Sequence, residues 1–528
     1  MLVLGSLLLA VSCHAAKVSR PPLQDLRAGP DAGADPSSNE DENPSAEELA
    51  GTPDPQEGAS TRPNQPDNRK RIGSIKWYTR IYDEPHRTPD TMEIGTIRIG
   101  TSIPLRSNEP VPGDGCAHKW WAVEPFGYIC SDETTTTDFD SAYWKALSSV
   151  TPSPGAFPYR YAYSMGAPMY SRVPTPEEVA WVEGFGNYPK KGEFRSLGKW
   201  AKGHEELVDK EGKEPIKATD ALPEFLADHK PIPGGPFPSP RPKVRELPPG
   251  TGFSYAKAFE ADGRVWLLTP ELFVIPADRV FSYRQSTFHG VELGDKVKLP
   301  LVWIKEPEEP KLKRVSEGVF EPSGKTRAKQ DHVMLTGQKE TVGKRTYRET
   351  REGDWIEDTD RVAVVEAVEK IAPGIADNER WLDARIVPGY AVAYEGIKPV
   401  WTTLWSAGKG GPPVPGKDPT KYAMTEIGSF LFQWKDKVST MSPDKGAPTV
   451  FWFADVPHIQ YVKAPLALHV AYWHNNFGHW MSAECLNFSP LDGEWLFNFT
   501  LPKLPEGWNA VRPTKTTGAA TRIVIRGL

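Results

Sequence analysis

The chain has 528 residues, more than one hydrophobic core supports, and so predicts about two to four domains. Its net charge is only −6 and it carries no basic block, which excludes a nucleic-acid partner. Beyond the N-terminus no run of eighteen apolar residues occurs, so no membrane-spanning helix is expected.

Proline (53) and glycine (45) are abundant enough to predict short strands, turns and linkers rather than helix bundles, a mainly β fold. The 18 tryptophans either fill cores or bind glycans. The four cysteines divide into Cys13 at the end of an apolar leader, the neighbours Cys116 and Cys130, and a solitary Cys485.

Residues 1–15 read as an export leader. Leu2–Val11 has the length of a signal-peptide apolar core. Leu9-Ala10-Val11-Ser12-Cys13 resembles a bacterial lipobox, which implies lipidation of Cys13; cleavage after Ala15 is the alternative. Either way the expectation is an exported protein of the periplasm or cell envelope, touching the membrane through a lipid anchor alone. Residues 16–72 are rich in Pro, Asp, Glu and Ser, bury too little apolar area to order themselves, and read as a tether. The tether serves either as reach from membrane to wall or as a plain linker.

Residues 73–137 turn to short β runs, SIKWYTRIY, GTIRIGTSIPL, WWAVEP and GYIC, and resemble the SH3-like barrels attached to bacterial wall enzymes. Cys116 and Cys130 flank a strand pair; in an oxidising envelope they form a disulfide, the alternative being two separate thiols. Trp120, Trp121 and Tyr128 line either a peptide groove or the strand core. Residues 138–248 read as an irregular, proline-rich connection. Within it Thr175 and Glu178 mark a capped helix start. Residues 249–371 read as an accessory β domain, in which His289 and His332 look like surface histidines.

Residues 372–528 alternate strand runs with Gly/Pro/Asp turns, and one helix is predicted at Pro490–Phe499, with Asp492 and Glu494 near its N-terminus as the helix dipole favours. This part holds His469, His474, His479 and Cys485. Their spacings of five, five and six fit neither a strand face nor the i, i+4 helix register, so no metal site or cofactor is expected. A thiol nucleophile needs a base in reach, and two strands joined by the WHNNFGHW turn would bring His469 to Cys485. The bland alternative is a small buried cysteine. A papain-like peptidase would place the cysteine before the histidine; here the order is reversed.

The segment ALHVAYWHNNFGHWMSAECLNFSPLDGEWLFNFTLPKLPEGW resembles the core of the L,D-transpeptidase catalytic domain, the family of cysteine enzymes that cross-link peptidoglycan. Leu382–Gly408 resembles that domain's opening strands, TEIGSF (425–430) its T-P-x-G-x-F turn with Glu426 in place of proline, and Asp455-Val456-Pro457 with Tyr461 the approach to the histidine strand. The resemblance covers about the last 150 residues. It implies an L,D-transpeptidase-type β-sandwich, Cys485 as nucleophile and His469 as base, with Ser482, Asn487, Tyr461, Trp473 and His474 in support. It also implies peptidoglycan stem peptides as substrates, with a stem or a wall-attached protein as acceptor.

Two departures stand out. The family's Ser-His-Gly-Cys is Ser482-Ala483-Glu484-Cys485 here, and the glycine usual after the first histidine is Val470. A carboxylate beside the nucleophile disfavours thiolate, and a missing glycine removes close backbone approach to an oxyanion. The second expectation is therefore a member with impaired chemistry, serving as a wall-binding or structural envelope protein.

Overall fold

The computed structural model describes residues 69–186, 188, 191–195, 197, 202–442 and 452–527. The leader, Cys13 and most of the tether lie outside the described residues.

The proline and glycine punctuation produces a mainly β protein with strands in five sheets. The described residues include three α-helices: Ala142–Ser148, Pro176–Phe185 and Pro490–Phe499. The largest sheet draws on the whole chain. Its path runs Val280–Ser282, Arg160–Ser164, Gly252–Tyr255, Phe453–Lys463, Trp434–Met441, Ala510–Val511, Glu93–Arg98, Tyr78–Tyr82, Tyr128–Ser131 and Lys119–Ala122. Residues 138–248 thus supply one regular strand to it, Arg160–Ser164, and two, Ala167–Tyr170 and Val244–Leu247, to a five-stranded sheet. The strands between 249 and 371 divide: Gly252–Tyr255 and Val280–Ser282 join the largest sheet, Lys257–Ala261, Arg264–Leu268 and Val274–Pro276 the five-stranded one, Val291–Glu292 a six-stranded one, and those from Leu301 to Val365 a seven-stranded sheet of long hairpins. Alternating apolar residues mark a strand but do not name its partner, which is why the sequence alone grouped them together.

A buried charge cluster joins the segments. Arg98 reaches Asp455 at 2.5 Å and Glu271 at 3.6 Å, Ser254 donates to the same Asp455 carboxylate, and the Tyr161 hydroxyl donates to the Asp455 carbonyl at 2.9 Å. Asp455 sits within a strand at φ 48°, a conformation that L residues keep only when surroundings hold it. In the N-terminal strands Cys116 and Cys130 are disulfide-bonded, and Trp120 is buried rather than displayed. Thr175 and Glu178 form the reciprocal capping box, and Glu178 also pairs with Arg172.

The site lies on a two-strand branch off the middle of the largest sheet. Phe453–Lys463 pairs antiparallel with the histidine strand Leu466–Val470, which pairs parallel with Leu486–Phe488. Both faces are covered, as the apolar run predicts. Leu466, Leu468, Leu486 and Phe488 face one core with Trp405 and Leu496; Ala467 and Cys485 face another with Tyr161, Leu207 and Trp473. The helix Pro490–Phe499 is capped by the Ser489 hydroxyl, which accepts from the Asp492 amide. It presses on the histidine strand: a Cβ on Gly493 would stand 2.3 Å from Val470 Cγ2, so a glycine here allows the approach.

Candidate active site

The parallel register sets the geometry. His469 stands opposite Asn487, and Leu468 opposite Leu486. Cys485 is the bend residue just before the strand Leu486–Phe488 and packs in the same core as Ala467, which shares the His469 face of its strand. The chain between the two strands is an irregular loop, residues 471–485, containing the expected WHNNFGHW turn and ending on Cys485.

Polar contacts fix the cysteine's approach. Ser482 Oγ donates to the Cys485 carbonyl at 2.5 Å. Met481 and Ser482 both donate backbone N–H groups to the Ala407 carbonyl, and Lys409 N–H donates to the Ser482 carbonyl. Ser406 and Asn487 exchange two backbone bonds at 2.9 Å each. Thr425, buried in the TEIGSF turn, bridges both sides: its hydroxyl accepts from Gly408 N at 2.8 Å and donates to the Glu484 carbonyl at 2.7 Å. A Cβ on Gly408 would stand 2.2 Å from the Ala423 carbonyl oxygen, so only glycine allows this close approach.

A chain of side chains then links three of the expected residues. Asn487 Nδ2 lies 2.9 Å from His469 Nε2, and Asn487 Oδ1 lies 3.3 Å from His474 Nε2. Asn476 N–H donates to His474 Nδ1 at 3.3 Å, and His469 Nδ1 contacts the Val470 carbonyl at 2.9 Å. One assignment satisfies every link: His474 carries its proton on Nε2 and His469 on Nδ1. Burial pulls the His474 pKa down to about 3, so it acts as a neutral partner. Trp473 packs 5.8 Å from the His469 ring, ring centre to ring centre.

The site is closed. Cys485 is 0 % exposed, and Ser482, Glu484, Asn487, His469 and His474 are also buried. Cys485 Sγ donates to the Pro465 carbonyl at 3.6 Å. Tyr461 pairs with Ala467 and Trp434 and, half-buried, packs against the cysteine's core. His479 sits 3.4 Å from Glu306.

Sequence reasoning missed several neighbours. His204 is buried against Phe453 and Trp473, its pKa also pulled down to about 3 by burial. Lys409 reaches the Lys202 carbonyl at 3.2 Å. Asp492, in the first turn of its helix as expected, also binds the His289 ring at 3.0 Å, Gly290 N at 2.6 Å and the Thr403 hydroxyl. His289, expected as an ordinary surface group, is therefore anchored. No local signal marks these pairs, because their members are far apart in sequence. A cavity of about 660 Å³ lies elsewhere, lined by residues including Asp209, Arg264, Trp266 and Asp278, and none of the site residues borders it.

No family model matches the chain, and no curated protein matches it. Among solved structures it is similar to an L,D-transpeptidase from Xylanimonas cellulosilytica, at 14 % identity over 31 % of this chain and 64 % of that one, TM-score 0.20. A cysteine-to-serine mutant of the Enterococcus faecium L,D-transpeptidase gives 16 %, 31 % and 55 %, TM-score 0.21. An L,D-transpeptidase from Mycobacterium smegmatis gives 14 %, 46 % and 93 %, TM-score 0.21. The chain spans less than two thirds of the first two structures. At these scores the likeness decides neither fold nor function for this chain.

Proposed function

We propose that this chain is an exported L,D-transpeptidase-type cysteine acyltransferase acting on peptidoglycan stem peptides. The observation that carries the reading is the parallel strand pair, which places His469 and the Ser482-x-x-Cys485-x-Asn487 motif on adjoining backbone, joined through the Asn487 amide. In this reading Cys485 Sγ attacks the carbonyl of the residue preceding the terminal D-Ala of a donor stem. In the reacting state the Asn487 amide yields His469 Nε2, which takes the thiol proton and passes it to the departing D-Ala amine, leaving a thioester. An acceptor amine, from a second stem or a wall-attached protein, then attacks the thioester, and the proton it sheds restores the thiol. This chemistry calls for neither metal nor nucleotide. The lipid anchor at Cys13 and the tether belong to the same reading, holding the protein in the envelope.

The test is intact-mass analysis after exposure to a carbapenem, a compound class that acylates the family this sequence resembles. A single adduct that disappears in Cys485→Ala supports the reading. Absence of any adduct on the wild-type protein across pH sinks it.

A second reading has its own observation. The Cys485 thiol is buried with its hydrogen bond to Pro465, beside a buried Glu484 where the resembled family has glycine. A non-catalytic wall-binding protein on the same scaffold would sediment with purified peptidoglycan yet take no carbapenem.

A further inference from the structure

The loop between histidine and cysteine is held from outside its own segment. The seven-stranded unit, Leu301–Val365, presents four residues to it. Lys305 Cδ lies where a Cβ on Gly478 would be 2.7 Å away, Glu306 faces His479, Lys329 Nζ donates to Asn476 Oδ1 at 2.5 Å, and Gln330 meets Asn475. The last contact is reciprocal. Gln330 Nε2 donates to the Asn475 carbonyl at 2.9 Å and to its Oδ1 at 3.1 Å, while Asn475 Nδ2 donates to Gln330 Oε1 at 3.3 Å. Ser286 Oγ donates to the same Asn475 Oδ1 at 2.6 Å, and Asn475 N–H donates to Glu206 at 3.2 Å.

Gln330 makes this contact from a left-handed backbone, φ 71°, with its N–H on the Ile304 carbonyl at 2.7 Å. A non-glycine residue held there is strained, and such strain concentrates where side-chain direction matters. Glycine would adopt the backbone at no steric cost but could not reach Asn475.

We propose that Gln330, with Lys329 beside it, is a positioning residue for the reacting pair, supplied by the seven-stranded unit rather than by the cysteine's own segment. The route is continuous. Gln330 and Lys329 fix Asn475 and Asn476. Asn476 N–H fixes the His474 ring through Nδ1, His474 fixes the Asn487 amide, and Asn487 fixes His469. Each link constrains one rotation: the Asn476 backbone sets which His474 nitrogen carries the proton, and that choice sets which end of the Asn487 amide faces His469. This role rests on Cys485 and His469 being the reacting pair. The clamp itself does not.

Two readouts on the full chain separate these levels. The variants are Gln330→Gly, which relaxes the backbone and removes the amide, and Gln330→Glu, which keeps the size but loses the donor. Hydrogen exchange is followed in the peptide spanning residues 472–481, and the pH profile of Cys485 alkylation by iodoacetamide is read by mass spectrometry. Loss of the amide pair predicts exchange in that peptide faster by roughly tenfold, with a melting temperature for Gln330→Gly no lower than wild type. The alkylation midpoint should shift from its wild-type position in both variants, because the imidazole held through Asn487 is released. Unchanged exchange in Gln330→Gly overturns the clamp. Faster exchange with an unmoved alkylation profile overturns the positioning role and leaves Gln330 a packing residue. A wild-type midpoint already at the ordinary value counts against His469 as base, and so against the proposed function, while exchange still decides the clamp.

Discussion

Replacing Asn487 by leucine tests the centre of the site. The substitution keeps the side chain's approximate size and spares the two backbone bonds to Ser406. It removes a contact of 2.9 Å to His469 and one of 3.3 Å to His474, both in full burial. Abandoning a buried polar atom costs about 1–3 kcal/mol. The shorter contact is counted at that range and the longer at about half of it. The extra apolar volume of leucine returns about 1 kcal/mol. The net loss is then about 0.5–3.5 kcal/mol, measured as a lower urea midpoint at unchanged slope. Function should suffer more than stability. With neither imidazole held, acylation of Cys485 by a carbapenem should slow by about 10²-fold or more. Asn487→Asp should not rescue it, because a carboxylate cannot donate to His469 Nε2. An Asn487→Leu protein with an unchanged urea midpoint and an unchanged acylation rate would refute the bridging role.

Arg98→Met should be among the most damaging single changes, costing about 3–5 kcal/mol, because it strands the buried Asp455 carboxylate; chemical denaturation measures it. His289 is held above its ordinary pKa chiefly by its hydrogen bond to Asp492. A raised folded pKa stabilises fully below the unfolded value of about 6.5 and fades as pH rises through the folded value. The stability gap between wild type and His289→Gln should therefore be wider at pH 5.5 than at pH 9, and a gap that widens with pH would contradict it. Thr175→Ala removes half of the capping box and should cost about 1 kcal/mol, with helix loss confined to Pro176–Phe185 by hydrogen exchange.

What the sequence made legible was local. The helix was expected at Pro490–Phe499, with Asp492 and Glu494 near its start, and it occupies that span. Thr175 and Glu178 announce their cap for the same reason: three residues suffice to form it. The histidine and cysteine strands were legible as apolar runs separated by a turn. Their parallel register was not, since periodicity states which face a residue takes but not which strand lies beside it. Asp492 shows the limit from the other side. A local rule assigned it to the helix dipole, yet the nearest donors belong to His289, Gly290 and Thr403. His204 and Gln330 were invisible because each owes its position to chain segments more than a hundred residues from the loop it touches.

The short strand Ala510–Val511 lies between Glu93–Arg98 and Trp434–Met441, pairing Thr96 with Ala510. Two residues from the last part of the chain thus close a ladder begun near its first described strand. Until they arrive, the Glu93–Arg98 edge offers unpaired amides and carbonyls, the condition that invites pairing with a foreign strand. Arg98, at the end of that strand, likewise waits for Asp455. The N-terminal strands are therefore made early and completed late. For a chain that emerges N-terminus first, this is a long interval of exposure, and it makes any C-terminal shortening that removes Ala510–Val511 an injury to the N-terminal strands.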